Sequence, residues 1–239
     1  MNIILFEKLD KINHLDINDE RARHIKKILK LNVKDSFSAG IINGEKGLAT
    51  ILDINDKYID FEFSKTDEEI VKLYPLTLLI SYVRPICMKR IFREAVSLGV
   101  ERIVLFNGDL TEKSYSKANF YVNKEYEKVL IDGAMQAAET PISEVIIKNS
   151  LRDALNVFDK NYDKVLLDNV LKGDSLNTFN FRKEKCVIAI GPERGFSDRE
   201  RNLFIANDFI SYTIGKRVLR SETAACASIA LTLSRMNLI

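Results

Sequence analysis

The chain reads as an α/β protein: a mostly parallel sheet covered by helices on both faces, preceded by a small β-barrel or roll. Three observations carry that reading. From Leu76 onward, near-continuous apolar runs alternate with helical patterns, as expected of strands buried on both faces of a parallel sheet. Before residue 66 the runs are shorter, alternate apolar with polar, and are separated by hairpin-forming pairs such as Asn43-Gly44. Finally, the stretch from Ile190 to Ala230 holds two strand–loop–helix units in succession, each loop bearing glycine. An open sheet builds a ligand crevice in this way, at the carboxyl edge of its strands.

Taken in order, the N-terminal 65 residues contain one helical pattern, Asn18 to Lys30. It places Ala22, Ile25, Ile28 and Leu29 on one face and Arg21, Arg23, Lys26, Lys27 and Lys30 on the other. Three alternating strands follow, DSFSAGI, GLATILDI and YIDFEF, the last two separated by Asn55-Asp56. A charged connector, Thr66 to Leu73, then leads to Pro75 and a different pattern, which sets the expected domains at 1–70 and 71–239. The second part reads LTLLISYV, a helix from Ile86 to Leu98, RIVLF, a helix from Val122 to Ala138, SEVIIK, a helix from Leu151 to Phe158, and KVLLD. Pro85 suits the start of the first of these helices and Gly99 its end. The strand Cys186 to Ile190 runs into Gly191-Pro192-Glu193-Arg194-Gly195, after which Ser197-Asp198-Arg199-Glu200 opens a helix as a capping box. A strand from Phe209 to Ile214 ends at Gly215, and Ser221-Glu222 starts the last helix.

Composition excludes several classes. With 239 residues, 46% of them apolar and 29% charged, the chain has the makeup of a globular protein able to bury a core. A net charge of +2 gives no global polyanion signal, so a nucleic-acid partner requires a local basic patch. Cys87, Cys186 and Cys226 lie in apolar segments without metal-ligand spacing, which reads as small core residues of a reducing, cytoplasmic compartment and no metal. No apolar run is long enough for a signal peptide or a membrane span, so no membrane partner is expected. The glycine spacing matches neither a dinucleotide fingerprint nor a P-loop.

Gly-Pro-Glu-x-Gly at 191–195, followed by Gly-x-Arg-Val-Leu-Arg-x-Glu-Thr-Ala at 215–224, resembles the signature pair of the SPOUT RNA methyltransferases. Most of the chain is similar to the RsmE-type 16S rRNA uridine-N3 branch of that superfamily. The resemblance implies a trefoil-knotted, mostly parallel C-terminal domain that binds S-adenosyl-L-methionine and an N-terminal PUA-like β-barrel that holds RNA. It also implies a homodimer acting on 16S rRNA of the small ribosomal subunit. For the cofactor it implies three walls: Leu166, Leu167 and Asp168; Ile190, Gly191, Pro192, Glu193 and Gly195; and Ile214, Gly215, Val218, Leu219, Thr223 and Ala224. RNA contacts are expected at Arg21, Arg23, His24, Lys27, Lys30, Gln136 and Arg217.

A uridine N3 carries a proton at neutral pH and is a poor nucleophile until that proton leaves. On this reading Arg220 stabilises the developing uridylate charge and Glu222 takes the proton or orients its acceptor, with Glu193 the competing base. The chain departs from the family at Arg194, where a glycine is usual, and around Gln136, where the usual glutamate and arginine neighbours are absent. The plain readings of the same residues are a solvated cationic helix face, a surface ion pair at 217–222 and a simple strand–helix connection at 191–195. Three alternatives stay open at this point: a SPOUT enzyme for another nucleotide, a non-catalytic RNA-binding assembly protein, and a nucleotide-dependent oxidoreductase. The last lacks its glycine fingerprint.

Overall fold

A computed structural model describes residues 2–239. The chain divides into two compact units: the N-terminal part up to Lys72 together with Ala134–Ile142, and Leu73–Gly133 together with Ser143–Ile239. A contiguous first domain of 1–70 therefore omits nine residues that pack with it. Their anchors are polar and specific. The Thr140 hydroxyl donates to the Gly44 carbonyl at 2.6 Å, Lys46 donates to Glu139 at 2.8 Å, and the Asn43 side chain accepts from the Ile142 N–H at 2.9 Å.

The first unit is a curled five-stranded sheet in the order β1-β3-β4-β5-β2, built from β1 (Ile4–Phe6), β2 (Ile12–Asp16), β3 (Ser36–Ile41), β4 (Lys46–Ile54) and β5 (Tyr58–Lys65). It is a half-barrel: β1 pairs parallel to β3 and the other pairs are antiparallel. Alternation along the strands sends Phe6, Phe37 and Phe61 inward, with Phe61 ringed by the other two at 5.5 Å. The expected Asn43-Gly44 turn joins β3 to β4, with Asn43 in the left-handed region at φ 58.

The helix expected over 18–30 is α1 (Glu20–Arg23), capped by Asp19, followed directly by a π-helical stretch, His24–Leu29. An apolar stripe spaced at 3.6 residues per turn presumes an α-helix, and the wider i→i+5 turn over His24–Leu29 rotates the later positions away. Ala22 and Ile25 are fully buried as expected, whereas Ile28 is 68% exposed.

The second unit is a seven-stranded sheet in the order β10-β12-β9-β11-β6-β7-β8, with every pairing parallel. Its strands are β6 (Tyr74–Ser81), β7 (Val100–Phe106), β8 (Glu144–Lys148), β9 (Tyr162–Leu167), β10 (Asp174–Ser175), β11 (Lys185–Ile190) and β12 (Ile210–Thr213). Leu78, Leu79, Ile80, Val104, Leu105, Val187 and Ile188 are completely buried, which is why these runs carry no polar alternation. The helices are α2 (Pro85–Ser97), α3 (Asn119–Val122), α4 (Tyr126–Ala137), α5 (Leu151–Leu155), α6 (Asp198–Ala206) and α7 (Ser221–Arg235).

The helix expected from Val122 to Ala138 is thus two pieces, broken where Lys124 takes a positive φ of 52. The helix expected to reach Phe158 stops at Leu155, and Phe158 instead packs in the core beside Tyr162. From β6 the chain steps outward through β7 and β8, then crosses to the other side of β6 to lay down β9, β10, β11 and β12. Such a reversal opens a crevice at the carboxyl ends of the strands beside it. Helix α7 returns over α2, β6, β11 and the short turn Leu176–Thr178, and the Arg235 Nε is bonded to the Phe179 carbonyl at 2.7 Å.

Candidate active site

The crevice is shaped by what happens at four strand ends. After β11 the Gly195 N–H donates to the Pro192 carbonyl at 2.9 Å, closing a tight turn, and Gly195 adopts φ +75, a conformation side chains resist. The turn delivers Phe196 into the core and Ser197 to the start of α6. Ser197 and Glu200 form the expected capping box. Glu200 is completely buried, one carboxylate oxygen accepting from the Ser197 N–H at 2.9 Å and the other from the Asp109 N–H at 3.0 Å. Asp109 in turn accepts from the Ser197 hydroxyl and from the Arg199 guanidinium. The Arg199 bond holds the Asp109 carboxyl below its ordinary range, against the opposing effect of burial.

After β9, Asp168 ties its own loop: Oδ1 accepts from the N–H groups of Val170 and Leu171, at 2.6 and 2.8 Å, and Oδ2 from Arg201 Nε at 3.0 Å. The ion pair is largely dehydrated, its side chains 2% and 11% exposed, so the loop is fixed by a buried charge pair from α6. After β12 the chain passes Ile214 to Gly215, whose φ of +143 is reserved for glycine and whose missing Cβ faces open space. It then runs to Arg220 at the N-cap of α7. After β6, Arg84 occupies the N-cap of α2. Its backbone N–H donates to Glu193 Oε1 at 3.1 Å, and its Nε donates to the Tyr115 hydroxyl at 3.2 Å.

These ends enclose a cavity of about 790 Å³ within the second unit. Leu167 and Asp168 line it from β9, Ile190 to Gly195 from β11, and Ile214, Gly215, Arg217, Val218, Leu219, Arg220, Glu222 and Ala224 from β12 and α7. Two expected members do not line it. Leu166 points to the other face of β9, where it is fully buried among Leu79, Val187 and Phe204, because neighbours on a strand face opposite ways. Thr223 is exposed on α7, one residue from Ala224, which does line the cavity.

Cavity residues that the sequence reading did not place in the site include Arg84, Asn169, Tyr212, Arg201 and Cys87, the last expected in the core but half-buried on the lining. Arg84 was legible only as the residue before a helix-starting proline. The Cys87 thiol is pushed above its ordinary value by burial first and by Glu222 second. Four arginines on the lining, Arg84, Arg194, Arg217 and Arg220, are solvent-exposed, and none makes an ion pair within 4.0 Å among the described residues. Neutral backbone and aliphatic groups thus form much of the wall, and the four exposed arginines share the rim with the carboxylates of Glu193 and Glu222.

The remaining expected residues belong to the first unit. Arg21 is engaged by Asp19 at 2.6 Å and lies over the Phe6 ring at 4.6 Å, and Arg23 donates to the Asn18 carbonyl at 3.3 Å. His24 Nε2 is buried without a hydrogen-bond partner among the described residues, and burial lowers the ring's pKa. Lys27, Lys30 and Gln136 are exposed.

Residues 71–233 match the model of an RNA methyltransferase domain and residues 17–64 that of an RNA methyltransferase PUA domain. The class that fold and crevice define is therefore an RNA methyltransferase with an appended PUA module. Over nearly the whole chain, the protein is 37% identical to the ribosomal RNA small subunit methyltransferase E of Treponema pallidum, covering 98% of this chain and 91% of the relative. It is 36% identical to ribosomal RNA small subunit methyltransferase E 1 of Borreliella burgdorferi, covering 99% of each. The chain belongs to the ribosomal RNA small subunit methyltransferase E family. Its fold matches the crystal structure of the Neisseria gonorrhoeae family member bound to S-adenosyl methionine, with a TM-score of 0.82 at 20% identity, over 98% of this chain and 97% of that one.

Proposed function

We propose that the protein transfers a methyl group from S-adenosyl-L-methionine to N3 of a uridine in the 16S RNA of the small ribosomal subunit. The observation that carries this reading is the arginine-ringed cavity at the carboxyl ends of four parallel strands. Its volume suits a nucleoside-sized cofactor, and its wall offers what such a ligand needs: glycine-bearing backbone at 191–195 and 214–215, aliphatic contacts from Leu167, Ile190 and Leu219, and carboxylates at Glu193 and Glu222 for a cationic sulfonium. When bound, S-adenosyl-L-methionine supplies an electrophilic methyl group. The exposed arginines match a polyanionic substrate that the overall charge of +2 does not announce.

Arg220, at the N-cap of α7, offers its guanidinium and the positive end of a 15-residue helix to the charge that develops on the uracil carbonyl oxygens. Glu193 already accepts the Arg84 N–H, which favours Glu222 as the group that receives or orients the N3 proton. Burial, and Glu222 after it, raise the pKa of the Cys87 thiol, which works against thiolate formation beside the methyl donor. Arg220→Ala is expected to lower kcat by about 10²–10³-fold, the usual cost of removing one stabilising donor, with little change in cofactor affinity by calorimetry. Unchanged turnover would remove Arg220 from the reaction.

In the first unit, RNA is held by Lys27, Lys30 and Arg23, since Arg21 is already bonded to Asp19. The same reading includes a knotted C-terminus, a homodimer and a cytoplasmic location. The return of α7 over elements from both halves of the sheet supports the knot. No helix among the described residues is long and apolar enough to cross a membrane. The decisive experiment is mass spectrometry of small-subunit RNA nucleosides from a strain lacking the gene, with and without the restored protein. Loss and return of 3-methyluridine is the expected result; a different methylated nucleoside would redirect the substrate assignment, and no change would end the methyltransferase reading.

A further inference from the structure

We infer that Arg84, held in place by Tyr115, grips a backbone phosphate of the RNA strand that enters the cavity. The assignment rests on the methyltransferase reading and adds a residue that its motifs do not contain. Arg84 stands at the N-cap of α2 as Arg220 stands at the N-cap of α7, and both line the same cavity. Their local chemistry differs. The Arg84 Nε is spent on the neutral Tyr115 hydroxyl at 3.2 Å, which orients the guanidinium without cancelling its charge. Glu193, the acid that acts on it, has one oxygen occupied by the Arg84 backbone N–H at 3.1 Å.

What remains is the outer edge of a planar fork, two NH₂ groups on an exposed side chain, with no ion pair within 4.0 Å among the described residues. A fixed fork with two parallel donors fits the two non-bridging oxygens of a phosphate, and a lysine ammonium reproduces its charge but not its geometry. Tyr115 makes this a prepared contact: it starts a short 3-10 turn, Tyr115–Lys117, so the fork is oriented from a separate segment before RNA arrives. A residue needed only to start α2 would have no use for that anchor.

The test compares Arg84→Ala, Arg84→Lys and Tyr115→Phe with the wild type in steady-state methylation of small-subunit RNA and in RNA binding across a salt series. Arg84→Ala should raise the RNA KM about tenfold, with kcat falling by less, and should reduce the slope of log affinity against log salt by about 0.7–0.9, one phosphate contact. Arg84→Lys should restore most of the slope and only part of the KM. Tyr115→Phe should keep the slope and raise KM about two- to threefold. Cofactor affinity by calorimetry should stay within about twofold in all three; a joint collapse of cofactor affinity and melting temperature would assign Arg84 to structure and overturn the inference. A wild-type slope and KM in Arg84→Ala, or a loss confined to kcat, would also overturn it. The underlying reading fails differently, through a wild-type protein that leaves the RNA unmethylated.

Discussion

His24 shows how one side chain sets a pH dependence. Its Nε2 is enclosed at the junction of α1 and the π-helical stretch with no partner among the described residues, and burial lowers its pKa in the folded protein. As pH falls through the ordinary histidine value of about 6.5, the unfolded chain takes up a proton before the folded one does, so stability declines from there down to the folded pKa. His24→Phe should flatten the stability curve below about pH 6.5 and raise stability at the acid end, as read from urea midpoints. Asp109 behaves in the opposite chemical sense with the same sign: its lowered carboxyl contributes stability above the usual aspartate range and loses it as pH falls through the folded value. The buried ring nitrogen is not visible in a string of residues, because its enclosure follows from the π-helical turn that begins at His24.

Among the elements, α6 holds the loop at 191–197 through its capping box. Its capping box also secures the Asp109 backbone through Glu200, so one buried carboxylate ties the loop at 191–197 to residue 109. Ser197→Ala should cost about 1 kcal/mol. Glu200→Ala, which strands two N–H groups, should cost about 2–3 kcal/mol and weaken cofactor binding more than Ser197→Ala; melting curves and calorimetry on both variants check the order. The box was legible because it is written within four consecutive residues. Both glycine loops and six of the seven parallel strands were legible for the same reason, local pattern. Asp168 with Arg201 was not, since the partners lie 33 residues apart and meet only when β9 and α6 are in place. The two-residue strand β10 was missed because so short an edge carries no period. The π-turn was missed because spacing was counted on the ordinary helix.

At the scale of the whole chain, a net charge near neutrality conceals an uneven distribution, with four exposed arginines, none in an ion pair within 4.0 Å among the described residues, gathered around one cavity. Composition could not reveal this because it averages over position, whereas chain reversal in the parallel sheet brings residues 84, 194, 217 and 220 to one opening. The make-up of the first unit leads to a further expectation. A fragment ending at residue 72 lacks Glu139 and Thr140, leaving Lys46 and the Gly44 carbonyl without those partners. It should show weaker amide-exchange protection in β3 and β4 than the full chain, and a synthetic 134–142 peptide should restore part of it; full protection in the fragment alone would show the segment to be dispensable. The lacing has a genealogical side as well. A module collected from separate stretches of one polypeptide cannot be traded as a cassette by a single recombination event, since separating it requires cuts at 72, 133 and 142.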